Sequence, residues 1–155
     1  LVVERIDLNA IVAEVVKLTE PKWRNESQLN GHRIELATDF GDLPHVQGNA
    51  TDLREVAANV ILNAVQAMPE GGRIAVTTRA DGGFAVLSVA DTGVGMSEET
   101  KARIFDPFYT TKEGGTGLGL SITYDIVNRH NGRIEVESEA EKGTTFKIWL
   151  PISTR

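Results

Sequence analysis

Apolar residues recur at three- and four-residue intervals in two long stretches of the chain. The first holds Leu8, Ile11, Val12, Val15, Val16 and Leu18 behind Asp7, a good N-cap, and this spacing predicts a helix. Pro21 should end or kink it, with a resumption through Trp23 to Leu29. The second runs from Asn49 to Met68 and carries Leu53, Val56, Ala57, Val60, Ile61, Ala64 and Met68. Elsewhere alternation takes over. Arg33 to Phe40, Arg73 to Arg79, Phe84 to Ala90, Arg133 to Ser138 and Thr144 to Leu150 read as strands, and Ala80-Asp81-Gly82-Gly83 joins the middle pair as a hairpin. Leu43-Pro44-His45-Val46 reads as a connector and Pro69 to Gly72 as a loop. Ser97 caps a short helix over Glu98 to Ile104. A third long helix spans Leu118 to Arg129 and stops at Asn131-Gly132. Before it, Phe105 to Thr116 has glycine, proline and threonine without period, so a mobile loop is expected.

Five strands and three long helices, with the strands concentrated late, predict an α+β two-layer sandwich. In it a mixed five-stranded sheet is covered on one face by three helices. Regular βαβ alternation is missing, which argues against a doubly wound nucleotide fold. The 155 residues fit one domain, expected to fill 1–155. The absence of cysteine excludes a disulfide framework and a thiolate metal site. No stretch is long and apolar enough to cross a bilayer, and no signal-peptide pattern opens the chain. A net charge of −6 argues against nucleic acid as a partner, so a polyanion would have to be held by local geometry. Leu1-Val2-Val3-Glu4 lacks an initiator methionine and runs straight into structured pattern, so the chain reads as a piece of a longer protein.

Three constellations carry chemistry. Asn59 and Asn63 stand one helical turn apart on a face that also holds Glu55 and Gln66, beside the apolar stripe. Such amides can line a cleft, and one carbonyl from Asn63 suits a Mg²⁺ held mainly by ATP phosphates. A solvated polar face is the alternative. Asp91-Thr92-Gly93-Val94-Gly95-Met96 follows an apolar strand. A carboxylate there can accept a hydrogen bond from the amino group of adenine, while Gly93 and Gly95 permit close approach. An ordinary turn explains the same letters. Gly114-Gly115-Thr116-Gly117-Leu118-Gly119-Leu120 opens the third helix, where free N–H groups and the helix dipole make an anion site. The Walker pattern is rejected because Lys112 precedes the glycines, and the dinucleotide fingerprint because a loop, not a strand, comes before them. Between these elements, Phe105 and Phe108 are expected to anchor both ends of a lid. Lys112 is placed to meet the outer phosphates, although an exposed loop lysine is as readily only solvated.

Together these residues resemble a known family. Asn59-xxx-Asn63, Asp91-x-Gly93-x-Gly95, Phe105-x-Pro107-Phe108, Gly115-Thr116-Gly117-Leu118-Gly119-Leu120 and Gly143-Thr144-Thr145-Phe146 are similar to the ordered sequence boxes of the sensor histidine kinase catalytic domain. Phe105 to Lys112 and Asn63 to Pro69 look most like its nitrogen-regulation and oxygen-sensing branch. The resemblance implies the Bergerat fold, with ATP between the second helix, the lid and the sheet. It implies Asp91 on the adenine amino group, Asn63 on Mg²⁺ and Asn59 near the phosphates. It further implies Ala67, Met96 and Phe146 around the base, Thr144 reaching it through water, and Gly117 to Leu120 on the phosphates. Two departures stand out. Gln66 replaces a lysine common in relatives, which shifts weight to Lys112, and Glu141 stands where the last box has its first glycine, which puts that loop's shape in doubt.

Hydrolytic members of the wider superfamily place a glutamate where this chain has Asn59, and an amide cannot take a proton from water at neutral pH. The reading is therefore a kinase domain, with Asn59 and Lys112 as its catalytic residues, that is a poor ATPase and does not autophosphorylate alone. Its acceptor histidine would lie on a dimerising helical domain of the same parent protein, with a response regulator downstream. None of His32, His45 and His130 sits in a phosphoacceptor box, and His130 at a helix end is explained by the dipole. The expectation is a cytoplasmic, monomeric domain with no direct membrane contact. A conformational ATPase, an anti-sigma-type serine kinase and a degenerate sensing module are the competing classes.

Overall fold

The computed structural model describes residues 3–26, 31–110 and 119–153. Its elements are β1 (Glu4–Ile6), α1 (Leu8–Leu18), β2 (Ile34–Phe40), β3 (Val46–Gly48), α2 (Ala50–Gln66), β4 (Gly72–Asp81), β5 (Phe84–Asp91), α3 (Glu98–Arg103), α4 (Gly119–Arg129), β6 (Arg133–Glu139) and β7 (Gly143–Pro151). Five strands form one mixed sheet in the order β2-β4-β5-β7-β6, with β2 parallel to β4 and the other pairs antiparallel. The parallel pair is joined through α2, the chain's single crossover helix among the described residues. No helix among those residues is long and apolar enough to cross a membrane.

The expected N-caps form. Asp7 accepts from the Ala10 amide, Asn49 from Asp52 and Ser97 from Thr100, each satisfying a donor left over at a helix start. The inward side of α2 buries Leu53, Val56, Ala57, Val60, Ile61 and Ala64, as the three-and-four spacing requires. It packs against α1 on one side and α4 on the other. Val60 and Ile61 are fully enclosed, and burying each contributes roughly 1.5–3 kcal/mol.

Register turns the strand patterns into layers. Thr78, Leu87, Ile148 and Ile134 lie in one row across β4, β5, β7 and β6 on the helix side. Val76, Val89, Phe146 and Val136 form the next row, and Ile74, Asp91, Thr144 and Ser138 the last. The apolar core thus gives way to a polar row at one end of the sheet. On the opposite face Arg79, Val86, Trp149 and Arg133 form a row of their own. The Arg133 guanidinium stacks 4.1 Å from the Trp149 ring centre, Arg79 lies 5.5 Å from it, and Phe84 meets the indole edge-on at 6.0 Å.

Three expectations need correction. The connector at Leu43-Pro44-His45-Val46 contains the start of a strand: β1 and β3 pair antiparallel as a second, two-stranded sheet. Each is three residues long, too short to show alternation, and their pairing is secured by Ile6 and Val46, both buried. Leu18 does not join the core but is 69% exposed, because the helix ends there and Thr19 turns inward instead, donating its hydroxyl to Val15 O at 2.9 Å. After Pro21 the chain forms one wide π-type turn over Pro21–Glu26, with Trp23 buried, in place of a resumed α-helix; residues 27–30 lie outside the described residues.

Candidate functional site

Part of the sequence-read set meets at the polar row at the sheet end: Ala67, Asp91, Gly93, Met96, Thr144 and, one layer beneath, Phe146. Asp91 is the fourth inward residue of β5 after Ala85, Leu87 and Val89, so alternation buries a carboxylate, 7% exposed, at the strand's last position. Its Oδ1 accepts from the Gly93 amide at 2.8 Å. A side chain at Gly93 would run into the Ala67 carbonyl, and the Val94 amide donates to that same oxygen at 2.9 Å. The C-terminal end of α2 is thereby fastened to the turn after β5, which brings Ala67, Asp91 and Gly93 together. Gly95 has φ +67°, and a β-carbon there would strike the Glu139 carbonyl. Gly143 has φ +110° and lies against the Asp91 carbonyl. Gly95 and Gly143 are required by close approach and by their backbone angles, Gly93 by close approach alone.

Glu141 settles the doubt over the last loop. It adopts φ 69°, a left-handed conformation glycine would take without cost, and its amide donates to Val94 O at 2.6 Å. The turn is therefore glycine-like in shape although the residue is not.

Met96 is half-buried, and its amide donates to Ser138 Oγ at 2.8 Å. The same oxygen lies 3.1 Å from Gly143 O and 2.7 Å from Thr144 Oγ1. Phe146 is buried in the layer beneath, and Phe105 packs over it at 6.5 Å between ring centres while leaning on Tyr124 at 5.2 Å. Phe105 is thus fixed against the sheet and α4, as expected of an anchor. Phe108, expected to be a second anchor, is instead 73% exposed with φ 67°.

Asn59 and Asn63 are both half-buried on α2, whereas Glu55 and Gln66 are exposed. The Asn59 amide donates to Gly119 O at 3.2 Å and lies 3.3 Å from Thr123 Oγ1, and the Thr123 hydroxyl itself donates to Gly119 O at 2.9 Å. Asn59 is thus tied to the first turn of α4, just past the glycine run, with Leu120 partly buried beside the core. Lys112, Gly114, Gly115, Thr116, Gly117 and Leu118 lie outside the described residues.

Two roles were missed in the sequence. Ser138 holds the sheet end and the Met96 loop together; its inward phase after Ile134 and Val136 on β6 was the available signal. His130 is buried, its Nε2 accepting from the Asn49 amide at 3.0 Å, which leaves Nδ1 to carry the proton and donate to Ile126 O at 2.8 Å. The ring therefore bolts the end of α4 to the cap of α2, so hydrogen bonding replaces the dipole as the explanation of this histidine.

Known proteins resemble this chain in sequence and fold. The family model described as "Histidine kinase-, DNA gyrase B-, and HSP90-like ATPase" matches residues 48–154. Sporulation kinase E of Bacillus subtilis (strain 168) is 43% identical over 81% of this chain and 17% of its own length. Sensor histidine kinase ZraS of Escherichia coli (strain K12) is 36% identical over 99% of this chain and 32% of its own. The chain thus spans a third or less of these curated relatives. Among solved structures, the nucleotide-free catalytic domain of histidine kinase ThkA superposes with TM-score 0.84 at 32% identity, covering 97% of this chain and 96% of that one. Full-length ShkA in complex with AMPPNP superposes with TM-score 0.86 at 31% identity, covering 100% of this chain and 32% of that one. A polar row closing a one-faced mixed sheet, α2 asparagines above it and this likeness along the whole chain agree: the chain belongs to the histidine kinase-, DNA gyrase B- and HSP90-like ATPase family, as a catalytic ATP-binding domain of the sensor histidine kinase kind.

Proposed function

We propose that the domain positions Mg²⁺–ATP for transfer of the γ-phosphoryl group to a histidine on a separate helical domain of its parent protein. The observation that carries this reading is the buried Asp91 carboxylate at the sheet end, with Asn59 and Asn63 on the adjoining helix. Asp91 would take the adenine amino group, between Ala67, Met96 and Phe146. Asn63 would give one carbonyl to Mg²⁺, a cation satisfied by few protein ligands when phosphates and water supply the rest. The donor fits that cation: Asn63 is a half-buried amide on α2, and its neutral carbonyl oxygen is a ligand Mg²⁺ accepts beside phosphate and water. When bound, the ion would neutralise phosphate charge. Asn59 would act near the phosphates without abstracting a proton, Gly115 to Leu120 would cradle them through backbone N–H groups, and Lys112 would meet the outer charge. Positioning and charge neutralisation suffice for in-line phosphoryl transfer.

On this reading the phosphoacceptor histidine domain is the direct partner, a response regulator receives the phosphoryl group from it, and the setting is the cytoplasm, where ATP is available. That full-length ShkA was solved with AMPPNP, an ATP analogue, supports nucleotide binding by this architecture. The test is titration calorimetry with Mg²⁺–ATP, followed by radiolabelled ATP with and without a helical histidine domain. Binding that Asp91→Asn weakens about tenfold or more, as loss of a charge-assisted hydrogen bond requires, is the expected result. Label should appear on histidine only when both domains are present. Rapid phosphate release by the chain alone would instead favour a conformational ATPase.

A further inference from the structure

Ser138 Oγ stands within hydrogen-bond distance of three groups: the Met96 amide at 2.8 Å, the Gly143 carbonyl at 3.1 Å and Thr144 Oγ1 at 2.7 Å. A serine hydroxyl owns one proton and two lone pairs. The Met96 N–H can only donate, so it takes one lone pair. The Gly143 carbonyl can only accept, so it takes the serine proton. The remaining contact, to Thr144, is then a hydrogen bond only if Thr144 supplies its own proton to the second lone pair. One arrangement alone satisfies all three contacts. In it the Thr144 hydroxyl has spent its proton backwards and presents only lone pairs elsewhere.

Thr144 is the cross-strand partner of Asp91, and Ser138 is the cross-strand partner of Thr144, so the three form one row on the helix-facing side. Asp91 and Thr144 are 7% and 4% exposed. An ionised carboxylate is also acceptor-only. With Asp91 ionised, the Asp91 and Thr144 side chains both present acceptors to the edge of the pocket. Such an edge favours a base bearing an exocyclic amino group and repels one bearing a carbonyl there. An unmatched polar group in a buried site is costly, which gives discrimination.

We propose that Ser138 is a positioning residue for base specificity: it fixes the proton of Thr144 so that the pocket edge reads a 6-amino purine and rejects a 6-oxo purine. The inference rests on the nucleotide-binding reading above and adds to it a group that touches no nucleotide. Without Ser138 the Thr144 hydroxyl can turn its proton outward and donate to a carbonyl, while Asp91 is unaltered.

The test uses Mg²⁺–ATP and Mg²⁺–ITP, which differ at position 6 of the base, competed against a fluorescent ATP analogue. Ser138→Ala should narrow the ATP-to-ITP affinity ratio by roughly 3- to 10-fold, the size of one neutral hydrogen bond. Thr144→Val should narrow it similarly, Ser138→Ala should add nothing on top of Thr144→Val, and Ser138→Thr should preserve the ratio. Equal weakening of both nucleotides by Ser138→Ala would mean a merely structural serine and overturn the proposal. If Ser138→Ala shows no cooperative melting, an unchanged ratio in Thr144→Val overturns it equally. A wild-type chain that binds neither nucleotide would sink the nucleotide reading itself, a separate result from binding ATP with an unaltered ratio.

Discussion

Replacing Glu141 by glycine should make the fold more stable, although the substitution removes a side chain. Glu141 sits at φ 69°, where a β-carbon crowds the backbone at a cost of about 1–2 kcal/mol. Its side chain is exposed and enters no ion pair among the described residues, so little is lost with it. Glycine brings its own cost, about 0.5–1 kcal/mol of extra chain entropy in the unfolded state. Taken at matching ends of the two ranges, the difference is a gain of about 0.5–1 kcal/mol. At about 2–4 °C per kcal/mol for a domain of this size, the melting midpoint should rise by about 1–4 °C. Thermal unfolding followed by circular dichroism measures this, with Glu141→Ala as the control: alanine keeps the β-carbon and should gain nothing. A glycine variant that melts at or below the parent, or an alanine variant that gains as much, would refute the reasoning from backbone strain. The loop carrying Glu141 borders Val94 and Gly143, so ATP affinity should be unchanged by a substitution that preserves its shape.

Two other substitutions test the same end of the molecule and its frame. Gly93→Ala places a β-carbon against the Ala67 carbonyl and Asp91 Oδ1, and should disturb both the Gly93–Asp91 and the Val94–Ala67 hydrogen bonds. A loss of about 2–4 kcal/mol in stability, or of nucleotide binding in the fraction that folds, is expected by denaturant titration and calorimetry. Gly82→Ala, in open space at φ +54°, should cost only about 0.5–1 kcal/mol, the left-handed strain less the chain entropy saved, and leave binding intact. His130→Leu leaves the Asn49 amide and the Ile126 carbonyl without their ring partner, and should lower the melting midpoint by about 2–10 °C.

The sandwich was legible because its long elements repeat a period many times: the stripe from Leu53 to Met68 leaves no reading but a buried helix face. Asp91 was legible for a related reason, since a carboxylate in the inward phase of an apolar strand demands an explanation. What escaped depends on distant partners. β1 and β3 are three residues each and gain meaning only from each other. Ser138 is an unremarkable letter until register sets it beside Thr144 and the Met96 loop reaches it. Phe108 looked like an anchor by type, yet its left-handed backbone turns it out to solvent. Asn59 was expected near phosphates; the contact it makes in the fold is to Gly119 O, which spacing along α2 cannot reveal.

The indole between two guanidinium groups has a practical consequence. The chain has two tryptophans: Trp23 is buried beside α1, and Trp149 lies on the outer side of β7, one strand face away from Phe146 and Thr144. Neither emitter lines the pocket. A change in ultraviolet fluorescence on adding nucleotide would therefore signal a shift carried across the thickness of the sheet, and a Trp149→Phe variant would say which lamp had flickered.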